Sequence, residues 1–282
     1  MKFIRQRMST AMARSAVFAA VAAFGVAAMT ALFSVRAHAQ EPPMKKPTIV
    51  LVHGAFAESS SWNNAARGLL AKGYAVVAVA NPLRGVKSDA NYLSSVLASI
   101  DGPVILVGHS YGGNVISNIP VKNSNVKALI FVAGFAPDSG ETAAALASKF
   151  PGGTLGPTLA PPVMLPDGGK DLYIRQDAYR AQFAADVSAA EAKLMAATQR
   201  PITDAALNEP AGEPSWKAIP SWFLYGSLDK NIPAAAIAFM AQRAGAKRVV
   251  EVKGGSHVVM VSHPDALVKL VVEADAATKS AH

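Results

Sequence analysis

Val104-Ile105-Leu106-Val107-Gly108-His109-Ser110-Tyr111-Gly112-Gly113 is the stretch whose reading decides the fold. Its first four residues are aliphatic with no polar break, the pattern of a strand buried on both faces. Gly108-x-Ser110-x-Gly112 follows, and a helical pattern begins at once, with apolar positions at three-to-four spacing over Asn114–Ile119. Strand, sharp turn and helix with a serine at the apex form a nucleophile-elbow pattern. The strained turn lifts the Ser110 hydroxyl clear of the sheet. Glycines two residues to either side let strand and helix pack closely. The helix N-terminus then offers its dipole and free N–H groups to developing negative charge.

Working outward, the same kind of run recurs at Thr48–Val52, Tyr74–Val79, Ala128–Ala133, Trp222–Tyr225 and Arg248–Val252. Between these runs, Ser61–Ala71, Asp89–Ile100 and Ala234–Ala244 carry helical spacing, and Ala266–Ala276 closes the chain after a Ser-His-Pro-Asp start. Strand alternating with helix predicts an α/β protein: a six-stranded, mainly parallel sheet with helices on both faces. One segment breaks the rhythm. Residues 137–220 hold no convincing strand, a Gly/Pro-rich beginning and two helical patterns at Gln176–Phe183 and Ala189–Ala197. This segment is expected to be a helical lid inserted over the carboxyl edge of the sheet.

The 282 residues are 51% hydrophobic and only 16% charged, which excludes a disordered chain. There is no cysteine, so disulfides, thiolate metal sites and a thiol nucleophile are excluded as well. The net charge of +8 suggests nucleic acid until the charges are located. Five of the 27 basic residues and none of the 19 acidic ones lie in residues 1–39, which leaves 22 against 19 beyond them, with no basic run longer than Lys45-Lys46. That is no nucleic-acid footprint.

Residues 1–39 have the form of an export signal. Lys2–Arg14 is cationic, Ser15–Val35 is uncharged and apolar, and Ala37-His38-Ala39 places small residues at the −3 and −1 positions of a cleavage site. The alternative is an uncleaved anchor, since this uncharged, mostly apolar stretch of 21 residues is long enough to span a bilayer. Either way residues 40–282, the globular domain, are expected in the periplasm or the medium, with the membrane met only transiently through the signal.

A serine hydroxyl needs a base. His109 sits inside the elbow beside Ser110, His53 ends the first strand, His263 begins the last helix within a capping sequence, and His282 is terminal. His257, in the Gly-rich loop Val252-Lys-Gly-Gly-Ser-His257, falls on the same rim as Ser110 and is the candidate base. The base needs an acid that orients it. Asp229, just past a strand in Leu224-Tyr-Gly-Ser-Leu-Asp229, lies one helix and one strand before His257. Asp138, after the strand that follows the elbow, is the competitor, and it equally suits a turn or helix cap. The two N–H donors of an oxyanion hole are expected at Tyr111 and at Ala55 in the loop His53-Gly54-Ala55-Phe56, with Phe56 as the near alternative to Ala55.

These residues together resemble the α/β-hydrolase superfamily: Val52-His-Gly-Ala-Phe56 with Trp62 downstream, the elbow, Gly226-Ser-Leu-Asp229 and Gly255-Ser-His257. The likeness covers essentially all of residues 40–282 and is greatest to the small serine-esterase and hydroxynitrile-lyase branch, which includes methylesterases. It implies the α/β-hydrolase fold, a Ser110–Asp229–His257 triad and oxyanion donors at Ala55 and Tyr111. The lyases of that branch carry Thr after the first His and Lys after the catalytic His, where this chain has Gly54 and Val258. Ester hydrolysis through an acyl-enzyme on Ser110 is therefore the expected activity, with a small-molecule ester as partner and no cofactor or metal. A cofactor-free perhydrolase or C–C bond hydrolase with the same triad, and a non-catalytic ligand-binding protein, are the alternatives. Cleavage after Ala39 predicts an exported protein that begins at Gln40. N-terminal sequencing of material exported by a bacterial host checks this, and an intact N-terminus at Met1 would contradict it.

Overall fold

The computed structural model describes residues 46–121 and 125–279. The export-signal segment and His282 lie outside the described residues. Of the main sheet, the first four strands are β1 (Thr48–Val52), β2 (Val76–Val79), β3 (Val104–His109) and β4 (Val126–Val132). Three short strands follow at Val163–Met164 (β5), Lys170–Leu172 (β6) and Ile202–Thr203 (β7), and the main sheet resumes with β8 (Ser221–Gly226) and β9 (Arg248–Val252). The main sheet has the order β2-β1-β3-β4-β8-β9, and every pair in it is parallel. The expected six strands are all present, with ends shifted by one or two residues.

The continuous aliphatic runs are explained by their surroundings. All residues of β1, β3 and β8 are buried, as β/α crossovers require of central parallel strands. The helices outside the insertion are α1 (Asn63–Ala71), α2 (Val86–Ala98) and α3 (Tyr111–Ser117) early in the chain. Within residues 137–220 lie α4 (Ala143–Ser148), α5 (Gln176–Phe183), α6 (Ala189–Ala197) and α7 (Asp204–Asn208), and α8 (Ala234–Arg243), α9 (Val259–Ser262) and α10 (Pro264–Lys279) complete the chain. The second helix begins three residues before the expected Asp89. The Asp89 carboxylate reaches back to accept the Arg84 N–H at 3.1 Å, so it serves the helix start from inside the first turn.

The expectation that residues 137–220 hold no strand is corrected. β5, β6 and β7 form a small antiparallel sheet there. Each strand is only two or three residues long, too short for an alternating pattern to register. The turn that joins β5 to β6 is legible, because Pro166-Asp-Gly-Gly169 closes with the Leu165 N–H donating to the Gly169 carbonyl at 2.8 Å and Gly168 at φ +85°.

The chain runs from β1 out to β2, returns past β1 to β3, and then continues away on the other side. The crevice outside the carboxyl ends of β1 and β3 is the switch point at which open α/β sheets bind ligands. Further along the sheet, the fully buried rings of Phe131 and Phe223, stacked at 4.7 Å, tie β4 to β8. Phe223→Ala should lower unfolding free energy by about 3–5 kcal/mol through lost contacts and a residual cavity. Denaturant titration checks this, and a change below about 1 kcal/mol would contradict the packing described.

Candidate active site

Ser110 stands between the end of β3 and the start of α3 at φ 54° and ψ −123°. A non-glycine residue held in such a region costs about 1–3 kcal/mol, so the surroundings must impose it. They do so through the Ser110 N–H, which donates to the Val132 carbonyl at 3.2 Å, and the Ser110 carbonyl, which accepts from Gly113 at 2.9 Å and Phe135 at 3.1 Å. A Cβ on Gly108 would lie 2.6 Å from the Gly112 carbonyl oxygen, and one on Gly112 would run into the Val52 carbonyl. The spacing of the motif is thus a packing requirement of strand, helix and β1 together.

The Ser110 Oγ lies 2.9 Å from His257 Nε2, and His257 Nδ1 lies 2.6 Å from Asp229 Oδ2. A carboxylate only accepts, so Nδ1 carries the proton and Nε2 presents its lone pair to the serine hydroxyl. The other Asp229 oxygen accepts the N–H groups of Asn231 at 2.7 Å and Ile232 at 2.9 Å. Asp229 is 6% exposed and His257 1%, so this chain of hydrogen bonds runs almost free of water. Four parallel strands deliver it: β3 ends next to Ser110, β8 three residues before Asp229, β9 five before His257, and β1 next to the loop at His53. Asp138, the competing acid, is elsewhere, ion-paired with Lys217 at 2.9 Å, and that contact holds its carboxyl below the usual range.

The loop after β1 lies against the elbow. A Cβ on Gly54 would come within 2.5 Å of Ser110 Cβ and 2.7 Å of the His109 carbonyl oxygen. The Phe56 N–H is occupied, donating to the Arg200 carbonyl at 2.9 Å. Among the described residues, the Ala55 and Tyr111 N–H groups have no hydrogen-bond partner. A pair of N–H donors beside a serine hydroxyl is suited to an oxygen that gains negative charge.

Two histidines brace the site. His53 Nδ1–H donates to the Gly54 carbonyl at 2.9 Å, and its Nε2 accepts the Asn81 N–H at 3.0 Å. His109 Nε2–H donates to the His257 carbonyl at 3.1 Å. Burial holds the His53 imidazole below its ordinary pKa. Burial first, and the neighbouring His257 second, push His109 well below. Both therefore stay neutral in the tautomers their partners demand. His263 lies to one side, with Nδ1 donating to the Ser262 hydroxyl at 2.9 Å.

Residues that the motifs do not reveal come from α5. Tyr179 donates from its hydroxyl to the Phe56 carbonyl at 2.7 Å, which fixes the loop after β1 at its positive-φ residue. Gln182 Nε2 donates to the Lys230 carbonyl at 2.9 Å, next to Asp229. The Phe183 ring packs against the His257 ring at 4.9 Å and is 1% exposed. The i,i+4 spacing of Tyr179 and Phe183 marks one helical face in the sequence, but not what that face covers. Leu194, another apolar residue of the insertion, is 59% exposed, away from this cluster. Among the described residues, no group of three or more histidines or acids is placed to hold a metal ion.

Residues 49–270 match the Alpha/beta hydrolase family. The chain is 27% identical over 255 residues to norfluorocurarine synthase 2 of Strychnos sp, covering 79% of this chain and 93% of that protein. It is 26% identical over 251 residues to an alpha-hydroxynitrile lyase of Arabidopsis thaliana, covering 79% of this chain and 95% of the lyase. Among solved structures, polyneuridine aldehyde esterase superposes with a TM-score of 0.67 at 21% identity, over 81% of this chain and 99% of that one. That likeness establishes a shared fold, and these relatives are consistent with the esterase and hydroxynitrile-lyase branch that the motifs resemble.

The neutral histidines link stability to pH. An unfolded chain protonates them near their ordinary pKa of 6.5, whereas the folded chain resists. Below pH 6.5 the unfolded state binds more protons, so stability falls as pH falls, by up to about 1.4 kcal/mol per pH unit for each histidine. Urea denaturation between pH 7.5 and 5 should show this decline, and His109→Gln should lessen it. An unchanged decline in that variant would contradict the assignment of His109 as neutral.

Proposed function

This chain belongs to the Alpha/beta hydrolase family, and on that premise we propose that it is a serine esterase that cleaves a carboxylic ester through an acyl-enzyme on Ser110. The observation that carries the proposal is the aligned pair of hydrogen bonds at His257, 2.9 Å to the Ser110 hydroxyl and 2.6 Å to Asp229.

In the proposed cycle Ser110 Oγ attacks the ester carbonyl while His257 Nε2 takes the hydroxyl proton. Asp229 keeps the imidazole in the Nδ1–H tautomer and stabilises the imidazolium once it forms. The carbonyl oxygen, now negative, is held by the Ala55 and Tyr111 N–H groups. Collapse breaks the bond from carbon to the leaving oxygen, and His257 returns its proton to that alkoxide. Water then attacks the acyl carbon with its proton passing to His257, and the serine is freed. The aromatic wall of Tyr179 and Phe183 keeps these charges out of bulk water, where the same interactions would be weaker.

A lyase relative raises a second activity. The Lys and Thr that accompany lyase action in the related branch are replaced here by Val258 and Gly54, and Val258 is wholly buried. No cation stands beside His257 at that position, which favours ester hydrolysis. The export signal read in residues 1–39 supports a proposed reaction outside the cytoplasm. A panel of aryl and alkyl esters tests the proposal. Wild-type protein should show a burst with an activated aryl ester and label with an organophosphonate, and Ser110→Ala should do neither. Asp229→Asn should keep the fold and lose about 10⁴-fold in kcat, as expected when the orienting acid is replaced by an amide that imposes the wrong tautomer. Wild-type protein that ignores both probes would overturn the assignment.

A further inference from the structure

Asp186 lies in the turn between α5 and α6, far in sequence from any motif. Its carboxylate accepts the Ser256 N–H at 3.1 Å on Oδ2 and the Ser256 hydroxyl in a short bond on Oδ1. At the far end, His263 Nδ1 lies 3.6 Å from the same Oδ2 and donates to the Ser262 hydroxyl at 2.9 Å. Ser256 immediately precedes His257, and Ser262 closes α9. One carboxylate therefore holds the start of the seven-residue segment 256–262 that carries the candidate base, and lies against the His263 ring that follows its end. The same turn of chain adds the Phe183 carbonyl, which accepts weakly from the Ser256 hydroxyl at 3.4 Å, and the Phe183 ring against His257.

We infer that Asp186 is a positioning residue, which clasps the 256–262 segment from the insertion and sets the reach of His257 Nε2 to Ser110. The inference rests on the proposed triad. The physical need is clear from the preceding loop. Gly254 has φ +76°, and Gly254-Gly255 offers the backbone no side chain by which to anchor it. A loop built on two glycines has many conformations to lose, and a base must hold its place within a fraction of an ångström. The His109 ring supports the His257 carbonyl from below, and Asp229 holds the ring edge, but neither restrains Ser256. The clasp supplies that restraint. Burial raises the Asp186 carboxyl, but the hydrogen bonds from Ser256 and Ser262 outweigh it and hold the group below its usual range. Asp186 is thus held ionised and accepting.

The test compares Asp186→Ala, Ser256→Ala and the double variant in the full exported chain. Expected is a fall in kcat for an aryl ester on the order of 10- to 100-fold, the scale set by a small misplacement of reacting groups, with KM within about twofold of wild type. Organophosphonate labelling should slow by the same factor. The downfield proton resonance of the His257 Nδ1–H, expected to be sharp in the resting wild type, should broaden or vanish. The double variant should be no worse than the poorer single one, because both remove one shared interaction. Folded variants that keep kcat within twofold, or keep the sharp resonance, would overturn the inference. Should Asp186→Ala fail to fold, Ser256→Ala decides alone by the same criteria. The resonance is read without substrate, so a wild type that lacks turnover refutes the esterase reading and leaves the clasp still under test.

Discussion

The parallel pairing of β1 with β3 governs most of what happens at the rim. Val52 faces Gly108 in that register, so the residues that follow on the two strands run on side by side. The backbones come close enough there that side chains are excluded at Gly54 and Gly112. Out of this crowding arise the strained turn at Ser110 and the two N–H groups next to it. A slip of one residue in the pairing would move every side chain of β1 to the opposite face, into close packing shaped for a different residue.

The insertion completes what the sheet begins. Parallel strands deliver four loops to one edge but do not fix the loops themselves, since each leaves the ladder of backbone hydrogen bonds as soon as its strand ends. α5 and the turn after it reach three of these loops in succession: Tyr179 at Phe56, Gln182 at Lys230, and Asp186 at Ser256. Arg200, further on, pairs with Glu58 at 2.8 Å and takes the Phe56 N–H on its carbonyl. These bonds are mostly buried or half-buried, where polar groups left unpaired would be costly, so they specify one arrangement more than they add stability. With Phe183 against the base, they also exclude water from the short contact between His257 and Asp229.

Fold alone does not select a chemistry, and this architecture hosts many. The choice among them lies in single side chains around a shared centre. A cation beside the base would serve to hold an anionic leaving group. Val258 at that place is buried and apolar, and the surroundings of His257 are otherwise aromatic, backbone or neutral imidazole. Such surroundings suit a base that holds positive charge only briefly and only against Asp229.

What the sequence determined by itself was local. The aliphatic run ending in Gly108-x-Ser110-x-Gly112, the Gly-rich approach to His257 and the position of Asp229 after a strand are patterns within a dozen residues, set by sterics and by which groups a strand end can present. Chain order then sufficed to put the three on one rim, because a parallel sheet sends all its carboxyl ends the same way. Tertiary structure alone decided that Asp138 turns to Lys217, that Phe56 gives its N–H to Arg200 and leaves that of Ala55 available, and that β5, β6 and β7 pair at all. It alone brought Asp186 to Ser256. Apart from the β5–β6 hairpin, whose turn is local, each of these joins segments tens of residues or more apart. No local propensity encodes such a contact, because its energy exists only when both surfaces are already folded.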